Sequence, residues 1–196
     1  MQLIEKLTLL FSVSSSRLIA RRYFVVNGFD GALAILGIIM GFYVTGNHDT
    51  QVVINACIGA AIALGVSGFS SAYVSESAER RQELQSLEEA MQSDLSESAH
   101  AQAARVVPYL IGLVNGAAPL CFALLIMIPL WLEHMPDMLP IAPLESAIIV
   151  AFCILFLLGI FLGRISGTFW LSAGLRTLLI GLITCLLIIV LSPGQG

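Results

Sequence analysis

The sequence predicts an all-α, polytopic membrane protein with five transmembrane helices, an N-in/C-out orientation and a short cytoplasmic helical hairpin. Three observations lead to this prediction. The chain has 196 residues, of which 58% are hydrophobic and only 11% are charged, whereas about a quarter of the residues in soluble domains are charged. It contains five long apolar runs. Its basic residues are also distributed unevenly among the segments that separate these runs.

The five apolar runs have about the length that a bilayer requires. A membrane-spanning helix needs about 20 predominantly apolar residues. The runs are apolar around their whole circumference and do not alternate with period two, which argues against amphipathic surface helices and against a transmembrane barrel. We therefore expect a single membrane domain with five spans, at residues 23–45, 52–74, 107–132, 146–163 and 169–191.

The basic residues indicate how these spans are oriented. If the N-terminus lies in the cytoplasm, all nine Lys and Arg residues fall on the cytoplasmic side and the opposite side receives none. Because basic residues concentrate in cytoplasmic loops, this distribution predicts the N-in/C-out topology. The N-terminal run LIEKLTLLFSV is interrupted by charge and has no small-residue cleavage site, so we expect no cleavable signal peptide. The nine residues are Lys6, Arg17, Arg21, Arg22, Arg80, Arg81, Arg105, Arg164 and Arg176.

Two segments are predicted to form helices outside the bilayer. Residues 1–22 can form an amphipathic helix on the inner membrane surface. Residues 76–105 are rich in helix formers, but both of their ends must return to the same membrane face. A straight helix of this length would separate the two ends by about 45 Å, at ~1.5 Å per residue. We therefore expect a hairpin whose first arm continues to about Met91, with a break in QSDLSES and Ser93 as the N-cap of the return arm. Residues 23–75 then hold the first two spans, and residues 106–196 hold the other three.

Asp30 is the one carboxylate inside the predicted first span. A charge in hydrocarbon costs at least about 2.5–3.5 kcal/mol, and such side chains usually face the bundle interior or water. If Asp30 only capped a helix that begins at Gly31, the remaining apolar helix would be about five residues too short to span. We therefore interpret Asp30 as a functional carboxylate. Gly37 and Gly41 form a GxxxG motif that lets another backbone approach closely, which makes them a candidate dimer seam.

The second span ends in polar side chains at a depth comparable to that of Asp30. Serines in a membrane helix often bond their own backbone or a neighbouring helix, and this role and a functional role are both open for them. The candidates are Ser67, Ser70, Ser71, Tyr73 and Glu76. Asn55 and Asn115 are expected to make hydrogen bonds between helices. The four cysteines fall in four different apolar runs without a CxxC motif, so we expect small buried core residues. They are Cys57, Cys121, Cys153 and Cys185.

The predicted hairpin carries a patterned set of acidic side chains. At 100° per residue, Glu76, Glu79 and Glu83 lie within one 60° sector of the first arm. Such carboxylates can bind a divalent cation, and the alternative is a solvated charged face with Arg80 and Arg81 as partners. Two further sets complete the pattern. An apolar stripe of Leu84, Leu87 and Met91 is expected to pack on the return arm or on a second subunit, and Asp94, Glu97 and His100 can face the acidic side chains from the return arm.

Four segments resemble the vacuolar iron transporter family, in order and across all five spans. RRYFVVNGFDGALAILGIIMGFYVTG (21–46) resembles the first span of that family, with its G-x-x-D-G motif. Ser67 and AYVSESAERR (72–81) resemble the end of the second span, S-M-A-A-G-E-Y-x-S. GAAPL (116–120) resembles the G-x-x-P-L of the third span, and LGIFLGRISGTFWLSAGLRTLLIGL (158–182) resembles the turn between the fourth and fifth spans.

The resemblance implies a function. Members of that family move Fe²⁺, and often Mn²⁺, out of the cytosol in exchange for protons, and they act as homodimers whose first spans line the pathway. The family's pathway aspartate falls on Asp30, so the resemblance makes Asp30 a metal ligand on that pathway. The metal would be the transported substrate, and no permanently bound cofactor is expected. Membrane lipid and a second copy of the chain are the expected partners, and nucleic acid is not.

Two positions depart from the family pattern. The family's methionine ligand falls on Gly68 and its glutamate falls on Ala72. If Ser70, Ser71 or Glu76 supplies oxygen ligands instead, the preference should shift towards harder ions. The cytoplasmic segment is also shorter than the metal-binding domain of the family. Its acidic side chains and one methionine are candidates for a reduced version of that domain: Glu79, Glu83, Glu88, Glu89 and Met91, with Glu76 beside them.

Two other functions are alternatives to metal export. An enzyme is not expected, because the sequence has no nucleophile–base pair and no metal-hydrolase spacing. A non-transporting structural or regulatory membrane dimer is the stronger alternative, and Gly68 and Ala72 are the residues that favour it. A transporter should require Asp30, whereas a scaffold should tolerate Asn or Leu there. The small size favours a prokaryotic cytoplasmic membrane.

Overall fold

The computed structural model describes residues 16–46, 49–134 and 141–192. Within these residues the regular secondary structure is entirely helical, and a short 3₁₀ helix, Leu132–His134, follows the third α-helix. All five α-helices are long and apolar enough to cross a membrane. The all-α fold and the five spans are therefore confirmed, and the chain is an integral membrane protein. The helices are α1 (Ser16–Val44), α2 (Thr50–Met91), α3 (Ala99–Trp131), α4 (Pro143–Ile165) and α5 (Trp170–Leu191).

The first helix begins earlier than the apolar run that predicted it. α1 is continuous from Ser16 to Val44, so Asp30 lies in its middle. The alternative that Asp30 caps a helix beginning at Gly31 is therefore excluded. The amphipathic helix predicted over residues 1–22 lies mostly outside the described residues, because the description begins at Ser16.

The chain divides into two compact units. Of the described residues, the first unit contains those up to Phe24 together with Gly65–Ala117, and the second contains those of Val25–Leu64 together with those from Ala118 onwards. In the first unit, α2 and α3 run antiparallel. Their backbones approach closely where glycines remove the Cβ atoms. The facing pairs are Gly65 with Gly116, Phe69 with Gly112 and Tyr73 with Tyr109.

The turn between α2 and α3 lies in the first unit. α2 ends at Met91, and the next residue, Gln92, has a left-handed backbone with φ 50°. The side chain of Glu88 reaches back across the turn, where its Oε1 accepts a hydrogen bond from the backbone N–H of Leu95 at 3.1 Å. The backbone N–H of Ser96 donates to Asp94 Oδ1 at 2.8 Å. This hydrogen bond lowers the pKa of Asp94 below its usual value, because it stabilises the charged carboxylate.

The predicted cap of the return helix is wrong by five residues. α3 begins at Ala99, and Ser98 Oγ accepts a hydrogen bond from the N–H of Ala101 at 3.2 Å, which is the geometry of an N-cap. Ser93 instead donates its backbone N–H to the carbonyl of Glu88 at the end of α2. Both serines lie before helix formers, and local sequence does not distinguish which of them begins the helix.

We expect Ser98→Ala to destabilise the first unit by about 1 kcal/mol, because the N–H of Ala101 loses its side-chain acceptor. Ser93→Ala is the matched control, since it removes the same hydroxyl from the same turn without removing a cap. The free energy of unfolding in mixed detergent micelles measures both changes. Equal effects of the two substitutions would contradict the assignment of the cap.

The second unit contains the larger hydrophobic core, to which α1, α2, α3, α4 and α5 all contribute. α3 packs closely on α1 in this unit, because a Cβ at Gly31 would lie 2.6 Å from Pro119 Cβ. α4 and α5 are joined by a short turn in which Gly167 adopts φ 68°, a conformation that favours glycine. The largest fully buried core side chains in this unit are Ile35, Leu36, Ile39, Val53, Ile126, Met127, Leu130 and Leu155, with Val25 at its edge.

The prediction for the cysteines is correct for two of the four. Cys57 and Cys185 are buried, whereas Cys121 and Cys153 are exposed on the surface of the single chain, and all four are free thiols. A membrane helix is apolar on every side because lipid is as apolar as the protein interior. An apolar run therefore does not reveal which of its faces is packed.

Candidate functional site

Asp30 lies on a face of α1 that the single chain leaves open. Its side chain is exposed, and within residues 16–46, 49–134 and 141–192 it makes no hydrogen bond or ion pair. At 100° per residue, Gly37 and Gly41 lie within about 20° of Asp30 around the helix. A Cβ at Gly41 would meet no atom within 4 Å, and one at Gly37 would meet only Ile188 Cδ1, at 3.8 Å. This face, formed by Asp30, Gly37 and Gly41, is named the Asp30 face.

The serines of the second span lie on an exposed face of α2. Ser67, Ser70 and Ser71 are all exposed in the single chain. Ser71 Oγ donates to the carbonyl oxygen of Gly68 in the same helix at 3.2 Å, which is the backbone role expected as one alternative. These three residues form a hydroxyl-bearing stripe on the surface of the first unit.

Glu76 lies on the opposite face of α2 from Ser67 and Ser71. Nine residues separate Glu76 from Ser67, which at 100° per residue turns the side chain by about 180°. The face of α2 that carries Glu76 packs on α3, and Ala72, one turn earlier, is buried against Val107 and Ile111. The candidates taken from the second span therefore divide between two faces of one helix.

Gly68 and Ala72, where the chain departs from the family pattern that it resembles, have packing roles. The carbonyl oxygen of Gly68 accepts a hydrogen bond from Asn115 Nδ2 at 2.8 Å, in a buried position between α2 and α3. Ala72 is 2% exposed in the core of the first unit. The interhelical role predicted for Asn115 is confirmed. The same prediction for Asn55 is wrong, because Asn55 accepts from Gln51 within α2 and is exposed.

Tyr73 pairs with Tyr109 across the helices of the first unit. The Tyr73 hydroxyl donates to the Tyr109 hydroxyl at 3.2 Å, and the ring centroids are 4.6 Å apart. Tyr73 is half-buried and Tyr109 is exposed. The pair places two phenolic oxygens together on this side of the unit.

A buried charge network follows Tyr73 along α2. Glu76 is 2% exposed and Arg80 is 6% exposed, although both are charged side chains. The guanidinium of Arg80 lies between two carboxylates, with Nη1 2.7 Å from Glu83 Oε2 and Nη2 3.6 Å from Glu76 Oε2. Glu76 Oε2 has no hydrogen-bond donor in the described part of the chain. Arg80 is thus a partner of these carboxylates, as one alternative predicted, but the pair with Glu76 is buried rather than solvated.

A cavity of about 600 Å³ opens beside this network between the arms of α2 and α3. Glu79, Glu83 and His100 line it, so the structure places His100 near two of the acidic side chains that it was expected to face. Asp94 and Glu97 precede α3 and lie in the turn. Among the described residues, no group of three or more His, Cys, Asp or Glu side chains is arranged closely enough to hold one metal ion.

Of the remaining candidates of the arm, Leu84 and Leu87 line the cavity, whereas Glu88, Glu89 and Met91 do not. Glu88 accepts the hydrogen bond of Leu95 described above, and Glu89 Oε1 accepts from Gln85 Nε2 at 3.2 Å on the exposed surface. Of the apolar stripe, Leu84 is half-buried and Leu87 is exposed at the cavity, and Met91 is exposed in the single chain.

The burial of the Glu76–Arg80 pair was not predicted from sequence. The spacing of four residues between Glu76 and Arg80 indicates that they can pair, because side chains four apart on a helix are neighbours. Their burial depends on the approach of α3, which the local sequence of α2 does not encode.

In the described residues, these features define an integral membrane protein with five apolar helices, a carboxylate in the first span that has no partner there, and a buried ion pair where the second helix leaves the apolar segment. No protein-family model matches the chain, and no solved structure matches it significantly. The chain is 30% identical over 148 residues to an uncharacterized protein of Methanocaldococcus jannaschii, an alignment that covers 74% of each chain. The chain belongs to the family of this archaeal protein.

Proposed function

We propose that the protein exports a divalent metal ion, Fe²⁺ or Mn²⁺, from the cytoplasm as a homodimer, in exchange for protons. The observation that carries this proposal is the position of Asp30, which is in the middle of a membrane-spanning helix, exposed on the single chain and without a partner among the described residues. The resemblance of four segments to the vacuolar iron transporter family supports the same function.

In this proposal, a second copy of the chain shields Asp30 from lipid. A carboxylate in contact with lipid costs at least about 2.5–3.5 kcal/mol. The Asp30 face also carries Gly37 and Gly41, where small residues permit close contact between helices. A two-fold dimer is self-complementary, so a seam on this face brings two copies of Asp30 near the symmetry axis.

Two facing carboxylates explain how metal and protons exchange. Like charges in a site of low dielectric do not both ionise unless a cation or a proton is bound. A divalent ion neutralises both copies of Asp30 when it binds, and protons replace it when it leaves. Carboxylate and hydroxyl oxygens suit hard divalent ions, so the carboxylate of Asp30 and the hydroxyls of Ser67, Ser70 and Ser71 favour Mn²⁺ relative to softer ions.

The cavity of the first unit suits a role in collecting cations from the cytoplasm. Glu79, Glu83, His100 and Arg80 line it, and in the N-in orientation it lies on the cytoplasmic side. Arg80 offsets the charge of Glu83, and Glu79 leaves the lining with a net negative charge, which attracts cations and raises their local concentration. The sequence segments assigned to the opposite side of the membrane carry no Lys or Arg, which supports the N-in orientation. The membrane in this proposal is a prokaryotic cytoplasmic membrane.

Flux through proteoliposomes tests the proposal. Purified protein is reconstituted around a metal-quenched dye, and Fe²⁺, Mn²⁺, Co²⁺ and Zn²⁺ are compared for the wild-type chain and Asp30→Asn. A residue that only orients a metal ligand typically contributes about 10–100-fold to affinity or activity, so we expect loss of the ligand itself to lower flux by at least about tenfold.

Asp49→Asn is the matched control for that experiment. Asp49 Oδ1 accepts hydrogen bonds from the N–H groups of Gln51 and Val52 at the start of α2, and asparagine retains this capping role. Its flux should equal that of the wild type. Folded, dimeric wild-type protein that moves none of the four ions would refute metal export, as would full flux through Asp30→Asn.

A non-transporting structural or regulatory dimer is the alternative function. The observation that favours it is the packing role of Gly68 and Ala72, which occupy the positions of two family ligands. A scaffold needs the helix contact but not the charge. On this alternative, Asp30→Leu still forms the dimer in detergent, and its metal flux is no lower than that of the wild-type chain.

A further inference from the structure

A groove runs along the outer surface of α4 towards the first residue of α5. Its volume is about 440 Å³, and it is lined by Leu157, Ile160, Phe161, Arg164 and Trp170. At 100° per residue the four α4 residues fall within a sector of about 100°, and so lie along one face of the helix. The groove is therefore apolar along its length and has a single cation, Arg164, at one end.

Arg164 has no partner in the described part of the chain. It is exposed in the last turn of α4, and no ion pair or side-chain hydrogen bond engages its guanidinium there. It is not needed to cap the helix either. The carbonyl oxygen of Leu162 accepts from the N–H and Oγ of Ser166, and that of Gly163 accepts from the N–H of Thr168.

The groove changes from apolar to charged along its length, as a lipid molecule at a membrane boundary changes from its acyl chains to its headgroup. α4 and α5 are membrane spans, so the exposed Leu157 and Phe161 face hydrocarbon while Arg164 lies at the end of the span. Trp170 and the adjacent Phe169 are both exposed at the same end, and their ring centroids are 6.0 Å apart. Aromatic side chains of this kind concentrate at the level of the lipid headgroups.

We propose that this groove binds one anionic phospholipid. Its acyl chain packs on Leu157, Ile160 and Phe161, and its phosphate pairs with Arg164, whose planar guanidinium matches phosphate oxygens with two parallel N–H donors. Among the residues that the structure describes, no acidic side chain lines the groove to receive a choline or ethanolamine cation, so the net charge of this lining favours an anionic headgroup. The first turn of α5 has no side-chain cap and no acidic residue, so its backbone N–H groups face the same end unopposed.

Trp170 reports directly on the occupant of the groove. The chain has two tryptophans, so Trp131→Phe leaves Trp170 as the single fluorophore. Lipid nanodiscs that contain a small fraction of brominated phosphatidylglycerol, or of brominated phosphatidylcholine, are compared at equal bromine content. We expect stronger quenching by the anionic lipid. Arg164→Gln should reduce this preference about fivefold, because one cation near an anionic surface contributes about that factor.

Arg176→Gln is the matched control. Arg176 is an exposed cation on α5, but it lies about 120° around the helix from Trp170 and does not line the groove. It should leave the preference unchanged, and Arg164→Lys should retain most of it. Both glutamine variants are first checked for wild-type helicity and elution volume.

Three results would overturn the proposal. Equal quenching by the two brominated lipids would show that the groove does not select an anionic headgroup. An equal loss with Arg176→Gln would assign the preference to general surface charge. If neither lipid quenches Trp170, and Leu157→Cys forms a cross-link between copies in a chain whose four native cysteines are replaced by alanine, the groove is covered by a second copy of the chain.

Discussion

Replacement of Arg80 by methionine is expected to lower the free energy of unfolding by about 3–5 kcal/mol, which is typical when one partner of a buried ion pair is removed. Glu76 is 2% exposed and would keep its charge in the interior of the first unit without the guanidinium 3.6 Å away. Arg22 also acts electrostatically on Glu76, but it is exposed to solvent and compensates only in part. Reversible unfolding in mixed detergent micelles measures the loss.

Two further variants separate charge from packing at this site. Arg81→Met removes the neighbouring cation, which is exposed, and should change stability by less than about 0.5 kcal/mol. The double variant Glu76→Gln/Arg80→Met removes the uncompensated charge and should recover a large part of the loss. If Arg80→Met were as stable as Arg81→Met, the buried network described here would be wrong.

Gly116→Ala is expected to destabilise the first unit by about 1–3 kcal/mol, because the added methyl group overpacks the contact between α2 and α3. A Cβ at Gly116 would lie 2.6 Å from the carbonyl oxygen of Gly65 and 3.0 Å from Phe69 Cβ. The nearest of these atoms belongs to the backbone, so relief requires the two helices to move apart. The same unfolding measurement in micelles tests this expectation.

Gly59→Ala provides the comparison. Gly59 is an exposed glycine in α2, and a Cβ there would meet no atom within 4 Å. Alanine has the higher helix propensity, so stability should stay the same or rise by up to about 1 kcal/mol. A destabilisation at Gly59 that matched the one at Gly116 would mean that the loss does not come from the helix contact.

The helices were predictable because their signal is local. Apolar runs long enough to span a bilayer reveal themselves in any window of the sequence, and all five correspond to helices. The ends of the helices were less predictable. α1 begins at Ser16 rather than near Tyr23, because hydropathy marks only the apolar part of a helix that also includes Arg17, Arg21 and Arg22.

The side chains that depend on contacts between helices were predicted less well. The spacing of four residues from Glu76 favours Arg80 over Arg81 as its partner, but the local sequence of α2 does not show that Arg80 is buried and Arg81 exposed, because the approach of α3 determines which of them is covered. The exposure of Cys121 and Cys153 has the same origin. Hydropathy does not distinguish a lipid-facing thiol from a packed one.

The candidate site contains features that local sequence predicts and features that depend on contacts between helices. The position of Asp30 within a span followed from the length of the apolar run and agrees with the continuous α1 helix. The opposite orientation of Glu76 and Ser67 follows from their spacing of nine residues, once α2 is known to be one unbroken helix. The packing of Gly68 against Asn115 required the structure, since 47 residues separate the two along the chain.

The turn at residues 92–97 has a practical consequence for structure determination. It joins two long antiparallel helices, and nearly all of its side chains are exposed, from Gln92 to Glu97. Exposed loop tips of this kind accept inserted domains with little loss of stability. A small rigid fusion partner placed here would add a soluble fiducial mass for electron cryomicroscopy, and protease access to the insertion would also establish which side of the membrane the turn occupies.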